Sequence, residues 1–233
     1  MTDSSPAAVL FDLDGTLIDS APGVAWSLNK ALDAEGRAPL TVERVKELVG
    51  KGAVHLIADA LDDEGGSDDP DQATRLKDAF LQIYSENPVQ DTAVFPGVMD
   101  MLESLQARGI PMALCTNKPD ITTRPVLQAF DFERFFPVVL CGDVAKYKKP
   151  DGRHVLETAA LINADPVRAV MVGDSENDIY AAHDAGVASV CVTFGYCHEP
   201  FDVLNPSVLI NSFENFDAAL SSALSTGPFV RTK

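Results

Sequence analysis

The sequence lacks the features of a secreted or membrane-embedded protein. Within its 233 residues, no apolar run approaches the roughly 20 residues that cross a bilayer. The N-terminal residues MTDSSPAA contain no basic stretch and lead directly into an apolar run, so no signal peptide is expected. We therefore expect a cytoplasmic protein with no membrane partner.

Positive charge is also scarce. The chain has 18 Lys and Arg against 35 Asp and Glu, which gives a formal net charge of -17. Nucleic acids and anionic membranes bind clustered basic residues, so this balance argues against both as partners. An anionic substrate would have to meet a metal ion or a local group of cations, and Lys146, Lys148 and Lys149 form such a group.

Cysteine is rare, and no pair has the CxxC spacing of a metal site. Cys115, Cys141 and Cys191 lie in or at the end of predicted apolar strands, and the fourth cysteine is Cys197. We expect reduced core residues rather than metal ligands or disulfides. The sequence also contains neither GxxxxGK[ST] nor GxGxxG, so no nucleotide-binding loop is indicated.

Two patterns of apolar residues divide the chain. Residues 19–90 contain four helical patterns and no predicted strand, with Val54, Ile57 and Leu61 on the expected buried face of the third helix and a solvated acidic loop at 62–71. From residue 91, strands alternate with helices, which is typical of a doubly wound parallel sheet. We predict an α/β protein whose Rossmann-like core comprises residues 1–18 and 91–233, with an inserted all-helical cap domain at 19–90.

Carboxylates follow the predicted strands. The stretch AVLFDLDGTLIDS, residues 8–20, begins with a predicted buried strand, and Asp12 and Asp14 follow that strand. A turn or helix cap needs one acceptor, which does not explain two acids one residue apart. Asp174 ends a later strand, and Asp178 lies on the same helical face one turn on. Because the C-terminal ends of parallel strands share one edge, we expect the four carboxylates to cluster there.

Such a cluster requires a cation. At an effective dielectric near 20, each close pair of like charges costs on the order of 4 kcal/mol. No Cys or His lies at ligand spacing within the motifs, and oxygen donors alone favour Mg²⁺ over Zn²⁺. Thr116 and the backbone N–H groups after it are suited to hold oxyanions. A metal, a lysine and a hydroxyl around a carboxylate nucleophile indicate phosphoryl transfer from a small anionic phosphate ester.

Four segments resemble the four motifs of the haloacid dehalogenase superfamily, in the same order and over nearly the whole chain. They are Asp12-Leu13-Asp14-Gly15-Thr16-Leu17, Thr116-Asn117-Lys118, Lys149-Pro150 and Gly173-Asp174-Ser175-Glu176-Asn177-Asp178. The family's usual Lys-Pro-x-Pro lacks its second proline here, because Gly152 stands in that place. Within the superfamily, Gly50-Lys51-Gly52-Ala53 and Phe194-Gly195-Tyr196 are most similar to the phosphoglycolate phosphatases.

The resemblance implies a role for each motif residue. Asp12 would attack phosphorus and form an aspartyl-phosphate, while Asp14 would act first as general acid and then as general base. Lys149 would offset the charge of the nucleophile and the phosphate. The implied Mg²⁺ ligands are Asp12, the backbone carbonyl of Asp14, Asp174, and Asp178 either directly or through another ligand. The implied phosphate-binding residues are Gly15, Thr116 and Asn117.

Other activities of the superfamily remain alternatives. Asp14 argues against dehalogenases and phosphonatases, because those enzymes do not need an acid two residues after the nucleophile. In phosphonatases, a cap lysine near the position of Lys51 forms a Schiff base. Because Asp14 is present here, we expect Lys51 to contact a substrate carboxylate or to be a surface lysine. A sugar-phosphate mutase keeps both acids. A non-catalytic protein of the same fold would have lost a motif residue. Hydrolysis of 2-phosphoglycolate by a monomer or small homo-oligomer is the favoured interpretation.

Overall fold

The computed structural model describes residues 8–63 and 65–227. Expectations for residues 1–7, for residue 64 of the acidic loop and for residues 228–233 lie outside the described residues. The strands of the described chain are β1 (Ala8–Phe11), β2 (Ile18–Asp19), β3 (Ala93–Val94), β4 (Met112–Thr116), β5 (Val138–Cys141), β6 (Ala169–Gly173), β7 (Ala188–Val192) and β8 (Val208–Ile210).

Helices occupy most of the remaining described chain. In order, they are α1 (Ala21–Ala34), α2 (Val42–Leu48), α3 (Ala53–Asp62), α4 (Gln72–Glu86), α5 (Val98–Ala107), α6 (Asp120–Ala129), α7 (Gly152–Leu161), α8 (Glu176–Ala185), α9 (Phe201–Leu204) and α10 (Phe216–Thr226), with a 3-10 turn at Pro166–Arg168. Within the described residues, no helix combines the length and the apolar character needed to cross a membrane.

A six-stranded parallel sheet in the order β5-β4-β1-β6-β7-β8 forms the centre of the fold. In β1, Val9 and Phe11 pack on one face of the sheet, in the same hydrophobic cluster as residues of α5, α6 and α10. Leu10 packs on the other face with residues of α7 and α8. Helices on both faces explain why every residue of β1 is buried. The predicted doubly wound parallel sheet is confirmed.

Helices α1 to α4, here called the helical segment, lie between β2 and β3. These two strands pair antiparallel, with Ile18 opposite Val94 and Asp19 opposite Ala93, so the chain leaves and re-enters the core at the same place. The prediction of no strand from residue 19 is wrong by one residue. Strands of two residues have too few side chains for an alternating pattern to reveal them.

Two side-chain predictions have different outcomes. Val54 is 61% exposed, so its predicted place on the buried face of α3 is wrong. That face is formed by Ala53, Leu56, Ile57, Ala60 and Leu61, which is the same helical period rotated by one position. The prediction of free cysteines is confirmed, with Cys115, Cys141 and Cys191 buried and Cys197 partly exposed.

Candidate active site

Three carboxylates converge where β1 and β6 end. Asp12 and Asp174 directly follow these two strands, which are hydrogen-bonded neighbours in the sheet. Asp178 lies in the first turn of α8, and one oxygen of each carboxylate lies within 4.8 Å of the others. All three side chains are buried. We call Asp12, Asp174 and Asp178 the carboxylate group.

The first turn of α8 fixes Asp178. Its Oδ2 accepts hydrogen bonds from the backbone N–H groups of Asp174 at 3.2 Å and Ser175 at 3.1 Å, and from the Ser175 hydroxyl at 3.0 Å. This reciprocal capping box occupies one oxygen and leaves Oδ1 to face the site. A Cβ atom at residue 173 would lie 2.2 Å from the Asp178 side chain, so Gly173 is needed for the strand to approach this closely.

Lys149 is the cation of the carboxylate group. Its Nζ lies 2.9 Å from Asp12 Oδ1 and 2.6 Å from Asp178 Oδ1, and the residue is 3% exposed. Burial opposes the charged form, but Asp12 and Asp178 outweigh it and raise the pKa of Lys149 above its usual value. Lys149 is therefore a permanent positive charge in this site.

One lysine does not compensate three carboxylates. Burial, and then the neighbouring carboxylates, raise the pKa of Asp12 to about 6 against the pull of Lys149. Burial together with Asp178 and Asp12 raises the pKa of Asp174 well above its usual value. Asp12 Oδ1 forms the ion pair with Lys149 but has no hydrogen-bond partner among the described residues. The site thus has uncompensated negative charge and a carboxylate oxygen that accepts no hydrogen bond from the described residues.

The oxygens of Asp174 are held by two separate loops. Thr16 donates its hydroxyl to Oδ1 at 3.0 Å, and the backbone N–H of Tyr196 donates to Oδ2 at 2.7 Å. Gly15 lies against the same carboxylate, and a Cβ atom there would be 2.3 Å from Oδ2. The φ of Gly15 is +80°, in the left-handed region that favours glycine. Glycine at position 15 therefore lets this loop lie directly against the Asp174 carboxylate.

Asp14 does not belong to the carboxylate group. Its Oδ1 and Oδ2 accept from Lys118 Nζ at 2.9 and 3.1 Å, and Nζ also donates to Tyr84 Oη at 3.1 Å. Burial opposes the charge of Lys118, but Asp14 and Tyr84 raise its pKa above the usual value. Lys118 has no role predicted from the sequence, although it stands in the motif segment Thr116-Asn117-Lys118. Its position directly after a strand-end motif was the available signal.

Thr116 is the last residue of β4, which lies next to β1 in the sheet, and Asn117 follows it. Both are buried, and the side-chain amide of Asn117 makes two hydrogen bonds to the Lys149 backbone. The Asn117 amide also donates to the carbonyl of Gly50, in the loop between α2 and α3, at 2.9 Å. This bond joins the helical segment to the core directly beside the site.

A small cavity of about 50 Å³ lies between the helical segment and the sheet edge. Its core side includes Lys118 and four of the nine predicted site residues, which are Asp12, Asp14, Thr116 and Asn117. Lys51 is exposed and is not among the described residues that line this cavity. The side from the helical segment is mainly apolar: Val24, Leu48, Val49, Ala53, Leu56, Phe80 and Tyr84.

Comparison with known proteins agrees with the motifs. The family model of haloacid dehalogenase-like hydrolases matches residues 6–186. The chain belongs to this family. A relative of this hydrolase in Caulobacter vibrioides, named phosphoglycolate phosphatase, is 38% identical over 230 residues, which cover 99% of this chain and 97% of the relative.

Solved structures show the same fold. A structure titled a predicted phosphoglycolate phosphatase from Haemophilus somnus 129pt is 31% identical to this hydrolase, with a TM-score of 0.88 over 94% of this chain and 99% of the other. CbbY from Rhodobacter sphaeroides, solved with xylulose-(1,5)bisphosphate, is 25% identical, with a TM-score of 0.79 over 90% of this chain and 96% of the other. The similarity therefore includes the helical segment as well as the core.

Proposed function

We propose that the protein is a Mg²⁺-dependent phosphatase that hydrolyses 2-phosphoglycolate to glycolate and phosphate. The observation that carries this proposal is the buried contact of Lys149 with Asp12 and Asp178 in the carboxylate group. That geometry suits a carboxylate nucleophile beside a metal ion. The choice of substrate is supported by the relatives named phosphoglycolate phosphatase, which match nearly the full length of the chain.

The donor set fits a hard divalent cation. Three carboxylates lie within 4.8 Å of one another, and Asp12 Oδ1 has no hydrogen-bond partner among the described residues. Carboxylate and carbonyl oxygens favour Mg²⁺. We propose that Asp12, Asp174 and the backbone carbonyl of Asp14 hold this ion, and that Asp178 either binds it directly or positions one of its ligands. Bound there, Mg²⁺ would neutralise carboxylate charge and polarise the phosphoryl oxygens.

Asp12 is the proposed nucleophile. Its carboxylate oxygen attacks phosphorus, and the bond from phosphorus to the ester oxygen breaks as Asp14 donates a proton to that oxygen. Asp14 then takes a proton from water, the water oxygen attacks the aspartyl-phosphate, and Asp12 leaves as a carboxylate. The Asp12 carboxylate remains ionised near Lys149, whose ammonium lies 2.9 Å from Oδ1.

The remaining motif residues bind the phosphoryl group. Thr116 contributes a hydroxyl at the end of β4, and backbone N–H groups near Gly15 and Asn117 contribute further donors. Lys149 offsets the negative charge that is present when a dianionic ester binds beside the carboxylate group. Such fixed donors need no rearrangement during the reaction, and this is the main source of catalysis in phosphoryl transfer.

We further propose that residues 19–90 form a cap domain, which opens to admit the ester and closes to exclude water. The paired strands Ile18–Asp19 and Ala93–Val94 support this, because they leave only two chain crossings between segment and core. The cavity beneath the segment supports a short substrate. A formal net charge of -17 supports a small molecule, rather than nucleic acid or a membrane, as the partner of a cytoplasmic enzyme.

A sugar phosphate is the second candidate substrate. It is favoured by the similarity to CbbY, whose structure was solved with xylulose-(1,5)bisphosphate. The volume of about 50 Å³ favours the shorter ester, since one water needs roughly 10–15 Å³ of such space. A sugar-phosphate mutase would isomerise its substrate and release little phosphate.

Phosphate release from a panel of esters tests the proposal. The panel contains 2-phosphoglycolate, hexose and pentose phosphates, nucleoside monophosphates and phosphonoacetaldehyde, each with and without Mg²⁺, and Asp12→Asn serves as the blank. We expect metal-dependent release that is greatest from 2-phosphoglycolate and absent from the blank. Preference for another ester would retain the mechanism and refute the substrate. No release from any compound would refute the phosphatase.

A further inference from the structure

The cavity contains one cationic side chain away from the carboxylate group. Among the described residues that line it, Lys118 is the only lysine or arginine. The surrounding walls from α1 to α4 are apolar except for the hydroxyl of Tyr84. A carboxylate buried against such walls requires a charged partner, because an unpaired charge is costly away from water. Lys118 is the described group in the wall that can supply it.

Lys118 and Tyr84 come from opposite sides of the cavity. Lys118 follows β4 of the core, Tyr84 lies in α4 of the helical segment, and their polar atoms are 3.1 Å apart. The ammonium also lies 4.3 Å from the centre of the Tyr84 ring, and the Lys118 side chain is 7% exposed. The pair is thus a desolvated cation and a hydroxyl at one point on the cavity wall.

We infer that Lys118 and the Tyr84 hydroxyl bind the carboxylate of the substrate, and so select phosphate esters that carry a second anionic group. This assignment rests on the proposed function, in which the phosphate lies against Asp12 and Thr116 of the same cavity wall. Lys51, the residue that the sequence suggested for this contact, is exposed and outside the described cavity wall.

The hydrogen bonds of Lys118 give the assignment a consequence for catalysis. An ammonium has three N–H donors, and in this structure two face the oxygens of Asp14 and one faces Tyr84. A substrate carboxylate therefore takes over a donor that Asp14 now uses. One Asp14 oxygen is released and can turn towards the leaving oxygen of the ester. Recognition of the carboxylate and placement of the general acid are linked through this one side chain.

Ethyl phosphate separates these two roles, because it has the same two-carbon ester as 2-phosphoglycolate without the carboxylate. The measured quantity is the ratio of kcat/KM for 2-phosphoglycolate to that for ethyl phosphate. Lys118→Met should lower this ratio about 100-fold, the loss typical when a buried charge loses its partner. Tyr84→Phe should lower it about tenfold, as expected for a hydrogen bond to a charged group. Equal losses on both esters would mean that Lys118 only positions Asp14, which overturns the inference.

A binding measurement removes catalysis from the test. In the Asp12→Asn protein with Mg²⁺, calorimetry gives Kd for 2-phosphoglycolate and for inorganic phosphate. Adding Lys118→Met should weaken 2-phosphoglycolate about 100-fold and leave phosphate binding unchanged. Equal weakening of both ligands contradicts the assignment. If the Lys118→Met protein does not fold, the same comparison with Tyr84→Phe decides, since that change removes a single oxygen atom.

Two lysine variants complete the design. Lys77→Met is the control, because Lys77 lies in α4 like Tyr84 and pairs with Asp78 at 3.2 Å, away from the cavity. Loss of the substrate ratio in Lys51→Met but not in Lys118→Met would assign the carboxylate to Lys51 and overturn the inference. A wild-type protein with no preference for 2-phosphoglycolate over ethyl phosphate would refute the proposed substrate as well. If the wild type prefers 2-phosphoglycolate to ethyl phosphate and Lys118→Met keeps that preference, the role of Lys118 is refuted and the proposed substrate is retained.

Discussion

The side chain of Asn117 binds both polar groups of the Lys149 backbone. Its Oδ1 accepts from the Lys149 N–H at 3.0 Å, and its Nδ2 donates to the Lys149 carbonyl at 2.9 Å. Lys149 lies in the loop between β5 and α7, where no helix or sheet hydrogen bonds fix it. The position of the cation beside Asp12 therefore depends on an amide that follows a different strand.

Replacing Asn117 should impair catalysis more than stability. In Asn117→Ala the Lys149 backbone loses two partners, and we expect kcat to fall about 100-fold as the ammonium moves from Asp12. The free energy of unfolding should fall by about 1–3 kcal/mol, the cost of unpaired buried polar groups. Steady-state kinetics and urea unfolding measure the two effects.

Asn29 offers a matched control for this variant. Its amide makes the same pair of bonds to the backbone of Leu40, at 2.8 and 2.9 Å, within the helical segment. Asn29→Ala should lower stability to a similar degree and leave kcat unchanged. A comparable loss of kcat in both variants would show that general destabilisation, and not the placement of Lys149, is responsible.

Gly15→Ala should inactivate the enzyme. The new methyl group would lie 2.3 Å from Asp174 Oδ2, and the φ of +80° is unfavourable for alanine. Relief requires Asp174 to move, so we expect weaker binding of Mg²⁺ and a loss of kcat/KM of at least about 100-fold. Gly36 also has a positive φ, of +70°, but open space around it, so Gly36→Ala is the control for backbone strain. Equal activity losses in the two variants would contradict the steric explanation.

The sequence was sufficient to predict the sheet and its edge. Residues such as Val9, Leu10 and Phe11 form an uninterrupted apolar run, which is typical of a strand covered on both faces, and the acids that follow such strands meet at one edge. The convergence of Asp12 and Asp174 follows from that rule, and the helical spacing from Asp174 adds Asp178. The same reasoning placed Asp14 in the cluster, whereas its carboxylate pairs with Lys118. Strand order and exact distances are not needed for it.

The partners of Asp14 could not be predicted in the same way. Periodicity places Tyr84 on the buried face of α4, but it does not say which residue of the core that face meets. The contact of Lys118 with Tyr84 depends on how the helical segment rests on the core, and this is decided by packing between residues far apart in the chain. Val54 shows the same limit, because a helical pattern fixes the period but not its rotation.

The contribution of Asp12 to the stability of the metal-free protein should fall as the pH rises from about 4 to about 6. Burial raises the pKa of Asp12 to about 6 from 3.8, so in this window the folded protein binds more protons than the unfolded chain. The stabilisation from Asp12 is fully present below the unfolded pKa of 3.8 and is lost as the pH rises through the folded pKa of about 6. It amounts to at most about 3 kcal/mol. The raised pKa of Asp174 acts in the same direction.

Urea unfolding in EDTA at several pH values measures this slope. Asp12→Asn cannot titrate at this position, so the stability of the wild type relative to Asp12→Asn should fall as the pH rises through this window. At neutral pH, Mg²⁺ should stabilise the wild type more than Asp12→Asn, because it binds the folded state through the ionised carboxylate. Parallel pH profiles for the two proteins would show that Asp12 does not carry the buried charge.

Tyr196→Phe should loosen the connection between the helical segment and the core. The Tyr196 hydroxyl donates to Asp19 Oδ1 at 2.7 Å and accepts from the N–H of Ala21 at 3.0 Å, while its backbone N–H holds Asp174. Removing the hydroxyl leaves the buried N–H of Ala21 and the partly buried carboxylate of Asp19 without this partner, at a cost of about 1–3 kcal/mol. We expect faster hydrogen exchange at the start of α1, with the Asp174 contact retained.

The single tryptophan of the chain, Trp26, lies in α1 and reports on this change. In the wild type, its fluorescence should respond to ligand binding as the helical segment closes, and in Tyr196→Phe the response should require more ligand. Tyr147→Phe is the control, because it removes a hydroxyl from a ring that packs on Arg153 of the α/β part of the chain. This change should leave both hydrogen exchange and fluorescence unchanged. If Tyr196→Phe also behaves as the wild type, the other contacts between the segment and the core are sufficient to hold the segment in place, and the hydroxyl has no part in its closure.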